Sequence, residues 1–428
     1  MNSKLLRILT LALPLAAIVP SQAASLADRT DVKAALAFVK DLEPETLEQQ
    51  VAFCEIPAPP FTEQARAAYA KEQFIKLGLK NVHIDKEGNV LGERPGKNPD
   101  QMLVFSAHLD TVFPEGTDTK VKREGNMLIA PGISDDCRGL AALWAVARTL
   151  QETNLQTDGT IMFVATVGEE GAGDLRGVRH LFNSDLAKRI TQFISLDGTD
   201  LGVTSGAVGS HRYEVTFHGP GGHSYGAFGL VNPIHALGRA VAKIADFELP
   251  AEPKTTFSVS MLSGGTSVNA IPHTTAFLID MRSADAEALD AIDARFQTAV
   301  HQAVAEENAF WAKNNHNRVS RTINNAQPIT ADIKLIGDRP TGKVSEDSPI
   351  LEAIRRANAS LDIENRFGAS STDSNIAISL GVPAATLSAG GKGYGGHSLD
   401  EKFDSTDSYI GTQRALLAAL EIVGLANQ

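Results

Sequence analysis

The sequence has little cysteine and a deficit of positive charge. Only Cys54 and Cys137 occur among 428 residues, far below the density of a disulfide scaffold, so two free, largely buried thiols are expected. Lys and Arg total 39 against 51 Asp and Glu, a net charge of −12. That leaves no basic excess with which to displace counterions from a nucleic acid, and no nucleic-acid partner is expected. Beyond the first two dozen residues no apolar run approaches the roughly 20 residues that span a bilayer. His-Glu-x-x-His is absent, which excludes the single-zinc protease helix built on that motif. Internal repeats and low-complexity tracts are absent too. What remains, with 43% hydrophobic residues, is a globular chain long enough for two to three domains at about 150 residues each.

Lys4 and Arg7 precede an apolar stretch from Ile8 to Val19 and then Pro20-Ser21-Gln22-Ala23-Ala24, with no acidic residue among them. This reads as a secretory signal peptide over residues 1–23, cleaved after Ala23, with Ala24 the next choice. A membrane anchor is the competing reading, but the stretch is about a dozen residues and is interrupted by Pro14, too short to span. The expectation is a secreted or periplasmic protein with no membrane attachment after cleavage.

From Leu26 to Leu77 the pattern is helical, broken at Pro57-Ala58-Pro59-Pro60, and Val82 to Val90 reads as a hairpin. Short apolar runs follow at Met102–Phe105, Thr160–Ala165, Phe193–Leu196 and Pro383–Leu387, without clean alternation, as in strands buried on both faces. Leu140, Leu143, Trp144, Ala147 and Leu150 mark one face of a helix between the first two runs. Strands alternating with helices predict an α/β domain with a mostly parallel sheet. The middle of the chain differs. Tyr213, Val215 and Phe217 alternate as in a sheet covered on one face, and Asn232-Pro233 offers a cap and first turn for a helix through Ile244. Strands near 255–262 and 274–282, a long helix from about 284 to 309 and a strand near 331–336 complete a β-α-β-β-α-β order. Residues 211–338 are therefore expected to form an α+β insert, with the α/β domain built from 24–210 and 339–428.

The acidic and imidazole side chains are placed by those strands. His108 and Asp110 follow the first central strand, Asp135-Asp136 sit in a Gly-rich turn before a helix, and Glu169-Glu170, Asp197 and His397 each follow a strand. In an open parallel sheet the carboxyl ends of the strands form the ligand-binding edge, so these groups should converge. Singly each is ordinary, since a histidine at a strand end is usually structural and acidic pairs are usually solvated. Together they would repel one another in a cleft without a cation. Two imidazoles with several carboxylates suit zinc, with cobalt or manganese as substitutes.

His108-Leu109-Asp110, Gly132-Ile133-Ser134-Asp135-Asp136, Gly168-Glu169-Glu170-Gly171, Leu196-Asp197-Gly198 and Gly396-His397-Ser398 resemble, in order and spacing, the five metal-site motifs of the M20 co-catalytic zinc peptidases. The resemblance runs over essentially all of the chain after residue 23. It implies a zinc-peptidase-like catalytic domain interrupted by a βαββαβ lid or dimerisation domain, and two zinc ions per chain. His108 and Asp197 would hold one ion, Glu170 and His397 the other, and Asp135 would bridge both. Glu169 would be the general base toward a metal-bridging water, and Asp110 would accept the second ring N–H of His108. The peptide between the two aspartates would be cis. Cys137-Arg138 departs from the Lys-Gly of many relatives, so the contacts of that lysine do not carry over.

In the lid, Gly221-Gly222-His223-Ser224, Gly265 to Pro272 and Asp280-Met281-Arg282 resemble substrate-recognition segments of the same family. His223 would donate to the oxyanion across a dimer interface, and Asn269 and Arg282 would hold the substrate's carboxylate or carbonyl. Ser371-Thr372-Asp373 resembles the family's substrate loop. A rival reading takes Gly222-His223-Ser224-Tyr225-Gly226 as a nucleophile elbow with Asp373 and His397. The helix signal at Asn232-Pro233 comes too late for an elbow, and the alternating strand before it is wrong for a central parallel one. A binding protein without activity would have no use for Glu169. The expected function is hydrolysis of an amide bond in a small peptide by an exopeptidase, since a site between two domains suits short substrates with a free terminus and excludes folded protein; a deacylase of N-acyl amino acids is the alternative. The terminus read, aminopeptidase or carboxypeptidase, is left open.

Overall fold

The computed structural model describes residues 25–314 and 327–426, so the signal-peptide reading falls outside the described residues. Three helices open the chain, Thr30–Asp41, Glu43–Cys54 and Gln64–Lys76. They pack on one side of a nine-stranded sheet together with Cys137–Glu152 and Tyr409–Val423. The sheet runs in the order Lys80–Ile84, Val90–Arg94, Gly159–Thr166, Asn98–His108, Gln192–Leu196, Ala384–Leu387, Val203–Ala207, Gly342–Lys343, with Phe367–Ser370 also paired to Val203–Ala207. Its four central strands, from Gly159–Thr166 to Ala384–Leu387, are mutually parallel, and the antiparallel pairings lie outside them. Gly159–Thr166 is buried along its whole length, which is why its sequence is apolar without alternation.

The helix Cys137–Glu152 buries Leu140, Leu143, Trp144, Ala147 and Leu150 as its spacing predicts, but almost every residue from Cys137 to Leu150 is buried with them. The expectation of one apolar face was too narrow. The N-terminal and C-terminal helices close over this helix from outside, and its alanines and glycine permit the close approach.

A second hydrophobic cluster is assembled separately. Four antiparallel strands in the order Thr255–Gly264, Thr274–Ser283, Gly209–His218, Thr330–Arg339 carry the helices Pro233–Ala245 and Ala286–Lys313 on one face. Tyr213, Val215 and Phe217 pair with Ile279, Phe277 and Thr275 in register, and the alternation leaves one face buried. Asn232 caps the first helix by accepting the Ile234 N–H at 2.9 Å, with Pro233 in its first turn. The chain enters this sheet at Gly209 and leaves it at Arg339, where Ser210 pairs with Arg339. The α/β fold with a mainly parallel sheet and an antiparallel α+β unit is the class expected.

Some elements gave no local signal. The eight-residue helix Arg176–Asn183 and the strands Val203–Ala207 and Gly342–Lys343 are short. So are the four strands of a small antiparallel sheet, Lys122–Glu124, Met127–Ile129, Lys392–Tyr394 and Lys402–Asp404. Runs of two to eight residues are too brief for periodicity to register clearly.

Candidate metal centre and cleft

Each site residue lies at or just beyond the carboxyl end of a central parallel strand, or in the turn before the buried helix. His108 is the last residue of Asn98–His108, Glu169-Glu170 follow Gly159–Thr166, and Asp197 follows Gln192–Leu196. His397 sits in a glycine-rich loop after Ala384–Leu387, with a left-handed φ of 64°. The turn 132–136 is held by Glu401, whose carboxylate accepts the N–H groups of Gly132 (3.1 Å), Ser134 (2.8 Å) and Asp135 (3.1 Å). The Asp135–Asp136 peptide is cis.

Asp135 stands between the two imidazoles. Its Oδ1 is 3.0 Å from His108 Nε2 and its Oδ2 is 3.1 Å from His397 Nε2. His397 Nε2 is also 3.2 Å from Glu170 Oε1. His108 Nδ1 lies 3.0 Å from the carbonyl oxygen of Asp110. A carbonyl only accepts, so Nδ1 carries a proton, and Nε2, which faces the Asp135 carboxylate, is the ring nitrogen that a metal would take. The Asp110 carboxylate lies 3.6 Å from the same ring nitrogen and also accepts the N–H groups of Glu169 (2.9 Å) and Glu170 (2.7 Å), so it joins the imidazole to the loop that carries those two glutamates.

Asp136 is fully buried and spends both oxygens on the backbone, accepting Gly139 N–H at 3.0 Å as a helix cap and His108 N–H at 3.0 Å. Ligand atoms of His108, Asp135 and Glu170 lie within 4.8 Å of one another, as do those of His108, Asp136 and Asp197. Since the oxygens of Asp136 are already engaged, Asp197 is the carboxylate available beside His108.

The electrostatics point the same way. Burial, with Asp135 close by, pushes the Asp197 carboxyl up to about 7. Burial likewise pushes Glu169 well up. Hydrogen bonds to Asp135 and Glu170 raise His397 to about 10, and in His108 burial opposes the charged ring but the acidic neighbours outweigh it. Buried carboxylates that resist ionisation, facing imidazoles whose protonation their acidic neighbours favour, form a donor set that fits a divalent cation, which would take the place of the ring protons at Nε2.

The cleft beside these residues has a volume of about 580 Å³ and is lined by Asp135, Glu169, Glu170, Asp197, His397, Arg212, Arg282, Arg339 and the hydroxyls of Ser370 to Thr372, among others. Arg282 therefore reaches the cleft, its Nε 2.7 Å from Asp280. His223 and Asn269 are exposed and are not part of that lining. They adjoin each other on a two-stranded ribbon, where Ser224 N–H donates to the Asn269 carbonyl at 2.9 Å. The serine-relay grouping is not assembled. Asp373 is buried and accepts the Thr166 hydroxyl at 2.5 Å, while His397 faces Asp135 and Glu170.

Arg212, Arg339 and Glu401 were not found from the sequence. Arg339 ends a mostly exposed strand whose apolar residues stop at Ile336, and Glu401 lies in a loop, so no periodicity or motif marks them. Arg138, the departure from the family pattern, is buried and ties the helix to Glu43 (3.0 Å) and to the carbonyls of Ala389 (2.9 Å) and Ser408 (2.7 Å). Cys54 and Cys137 are free and buried.

The sequence profile of peptidase family M20/M25/M40 matches residues 104–421. Carboxypeptidase G2 of Pseudomonas sp. (strain RS-16) is 26% identical over 386 residues, covering 85% of this chain and 86% of that protein. Succinyl-diaminopimelate desuccinylase of Burkholderia cenocepacia (strain HI2424) is 28% identical over 269 residues, 58% of this chain and 68% of that one. Among solved structures, aminopeptidase PepT from Bacillus cereus superposes with a TM-score of 0.67 at 20% identity, covering 89% of this chain and 98% of that chain.

Proposed function

The chain belongs to peptidase family M20/M25/M40, and on that premise we propose that it is a di-zinc exopeptidase of small peptides. Hydrolysis of peptides or amides with a bound metal is the activity of the family. The finer reading rests above all on Asp135, whose two oxygens face His108 and His397 at 3.0 and 3.1 Å. In it, His108 and Asp197 would hold one ion, Glu170 and His397 the other, and Asp135 would serve both. Bound there, the metal supplies Lewis-acid polarisation of the scissile carbonyl and a lowered pKa for the attacking water.

The chain's own groups do the rest. Glu169, 5% exposed at the cleft wall, takes a proton from the attacking water and returns it to the leaving amine. Its high proton affinity in this buried setting suits both steps. Arg282 holds a carboxylate of the substrate, and the hydroxyls of Ser370 to Thr372 line the path beside it. His223 and Asn269 act on the substrate from the lid of a second subunit, so the working form is a homodimer through the lid. The signal peptide sends the protein to the periplasm or outside, where it serves peptide scavenging. A deacylase of N-acyl amino acids is the second reading, supported by the likeness to the desuccinylase.

The deciding experiment is hydrolysis of di- and tripeptides, free or blocked at either end, beside N-acyl amino acids, with and without chelator. Peptide cleavage that chelator abolishes and zinc restores is expected, and the block that stops it identifies the terminus read. Cleavage of acyl amino acids alone would favour the second reading, and activity indifferent to chelation would sink both.

A further inference from the structure

The loop that carries Glu169 and Glu170 is gripped from the lid side. Residues 168–175 turn through left-handed backbone at Gly168, Gly171, Asp174 and Leu175 before the helix Arg176–Asn183. The two strands by which the chain enters and leaves the lid sheet both touch this loop. From Gly209–His218, Arg212 Nη1 donates to the Gly171 carbonyl at 2.6 Å. From Thr330–Arg339, the Asp338 N–H donates to Asp174 Oδ1 at 3.1 Å, and Arg179 joins the Asp174 carboxylate to the Asp338 carbonyl.

Arg339 completes the grip. Its Nη1 is 3.1 Å from Glu169 Oε1 and 2.9 Å from Ser371 Oγ, and its Nη2 donates to the Glu169 carbonyl. The side chain is 4% exposed, and its Nε has no partner among the described residues. One guanidinium thus fixes both the side chain and the backbone of a single glutamate, even with its own Nε left unpaired, a cost that folded proteins seldom accept.

We propose that Arg339 is a positioning residue for Glu169, and that the contacts of Arg212, Asp338 and Arg339 with residues 168–175 make the placement of that carboxylate depend on the posture of the lid. The proposal rests on reading Glu169 as the base. A lid that swings on residues 209–210 and 339–340 carries Arg212, Asp338 and Arg339 with it, so the loop is pulled into its seat when the lid is in the posture seen here and released when it is not.

Arg339→Met, Arg339→Lys, Asp174→Gly and Glu169→Gln would be compared on purified protein with metal content measured. A carboxylate displaced by about 1 Å costs on the order of 100-fold in rate. Arg339→Met should therefore lose about that factor in kcat, with KM within about threefold and metal content unchanged. Arg339→Lys should recover part of the loss, because it restores the charge without the fork. Asp174→Gly, which keeps the left-handed backbone and removes the carboxylate that accepts from the Asp338 N–H and from Arg179, should lower kcat several-fold. Amide hydrogen exchange over 168–175 should quicken in Arg339→Met and in Asp174→Gly. If Arg339→Met and Arg339→Lys both keep native kcat while Glu169→Gln is inactive, the positioning role falls and the base reading stands. If Glu169→Gln itself turns over normally, the base reading falls, and the positioning role falls with it. Should Arg339→Met fail to fold, unchanged kcat and exchange in Arg339→Lys and Asp174→Gly would overturn the proposal.

Discussion

Two Gly-His-Ser turns occur in this chain, at residues 396–398 and 222–224, and folding treats their imidazoles in opposite ways. His397 turns Nε2 onto Asp135 and Glu170 at 3.1 and 3.2 Å, because a parallel sheet delivers the ends of all its strands to one edge. His223 turns Nδ1 inward, where it accepts the N–H groups of Tyr225 and Gly226 at 3.2 and 3.3 Å. Its Nε2 then carries the proton and is a donor, exposed and outside the cleft. One histidine is shaped as a ligand within its own chain. The other presents a hydrogen-bond donor that no described residue meets, as its proposed role in a second subunit's site requires.

The largest expected effect tests the sheet-edge half of that contrast. Glu169→Gln removes the proton acceptor and no ligand, so turnover should fall by about 100- to 10,000-fold, the range general-base groups contribute, with metal content by atomic absorption unchanged. Near-native turnover would take the base away from Glu169.

His223→Ala tests the other half. Loss of one donor to a developing oxyanion costs about 100- to 1,000-fold in kcat and little in KM. Mixing His223→Ala with Glu169→Gln sharpens the comparison, since a dimer that shares its sites would regain activity in hybrids that pair an intact lid with an intact base. Unchanged kcat in His223→Ala would leave the two Gly-His-Ser turns with only one functional histidine between them.

Asp110→Ala is expected to act more gently but on both halves of the metal centre at once. Its carboxylate carries the Glu169 and Glu170 amides, and groups that orient ligands from behind are worth about 10- to 100-fold in affinity or activity. Zinc titration followed by activity should show weaker binding in Asp110→Ala and an intermediate effect in Asp110→Asn, which keeps one acceptor. Equal, native affinity in both would mean that the loop holds itself.

The gathering of His108, Asp135, Glu170, Asp197 and His397 at one sheet edge was legible because topology does the work. His108, Asp197 and His397 follow apolar runs short enough to be read as strands, and parallel strands share an edge whatever the details of packing. Roles that depend on a few tenths of an ångström were not legible. Asp110, two residues from His108, invites pairing with the ring, and its carboxylate does lie 3.6 Å from Nδ1, but its own carbonyl is the closer acceptor at 3.0 Å and the carboxylate is shared with the amides of the next loop. Arg339 stands 170 residues from the Glu169 it touches, at the end of a mostly exposed strand, and no local pattern can announce a contact of that reach. His223 and Asn269 were legible as a motif but not as a location. Their ribbon pairs with itself, and its distance from the cleft is a property of how the lid is carried.

The smallest effect separates site geometry from fold stability. Asp136 caps the helix Cys137–Glu152 and receives the His108 amide, so Asp136→Ala removes one cap and leaves a second buried N–H unpaired. A lost cap costs about 0.5–2 kcal/mol and an orphaned buried donor about 1–3 kcal/mol, so a stability loss of about 2 kcal/mol by urea denaturation is reasonable. Asp136→Asn is not a conservative change here, because two N–H groups point at the carboxylate and an amide offers only one oxygen. It should lose stability as well, by less. With saturating zinc, kcat of either variant should stay above that of Asp110→Ala, because the ligand oxygens come from Asp135 and Asp197 and the base is set by Asp110. A kcat loss in Asp136→Asn larger than in Asp110→Ala would mean that the sheet edge is held in register through the helix cap instead of through the loops, and the contrast between a self-contained sheet edge and a dependent lid would have to be redrawn around that helix.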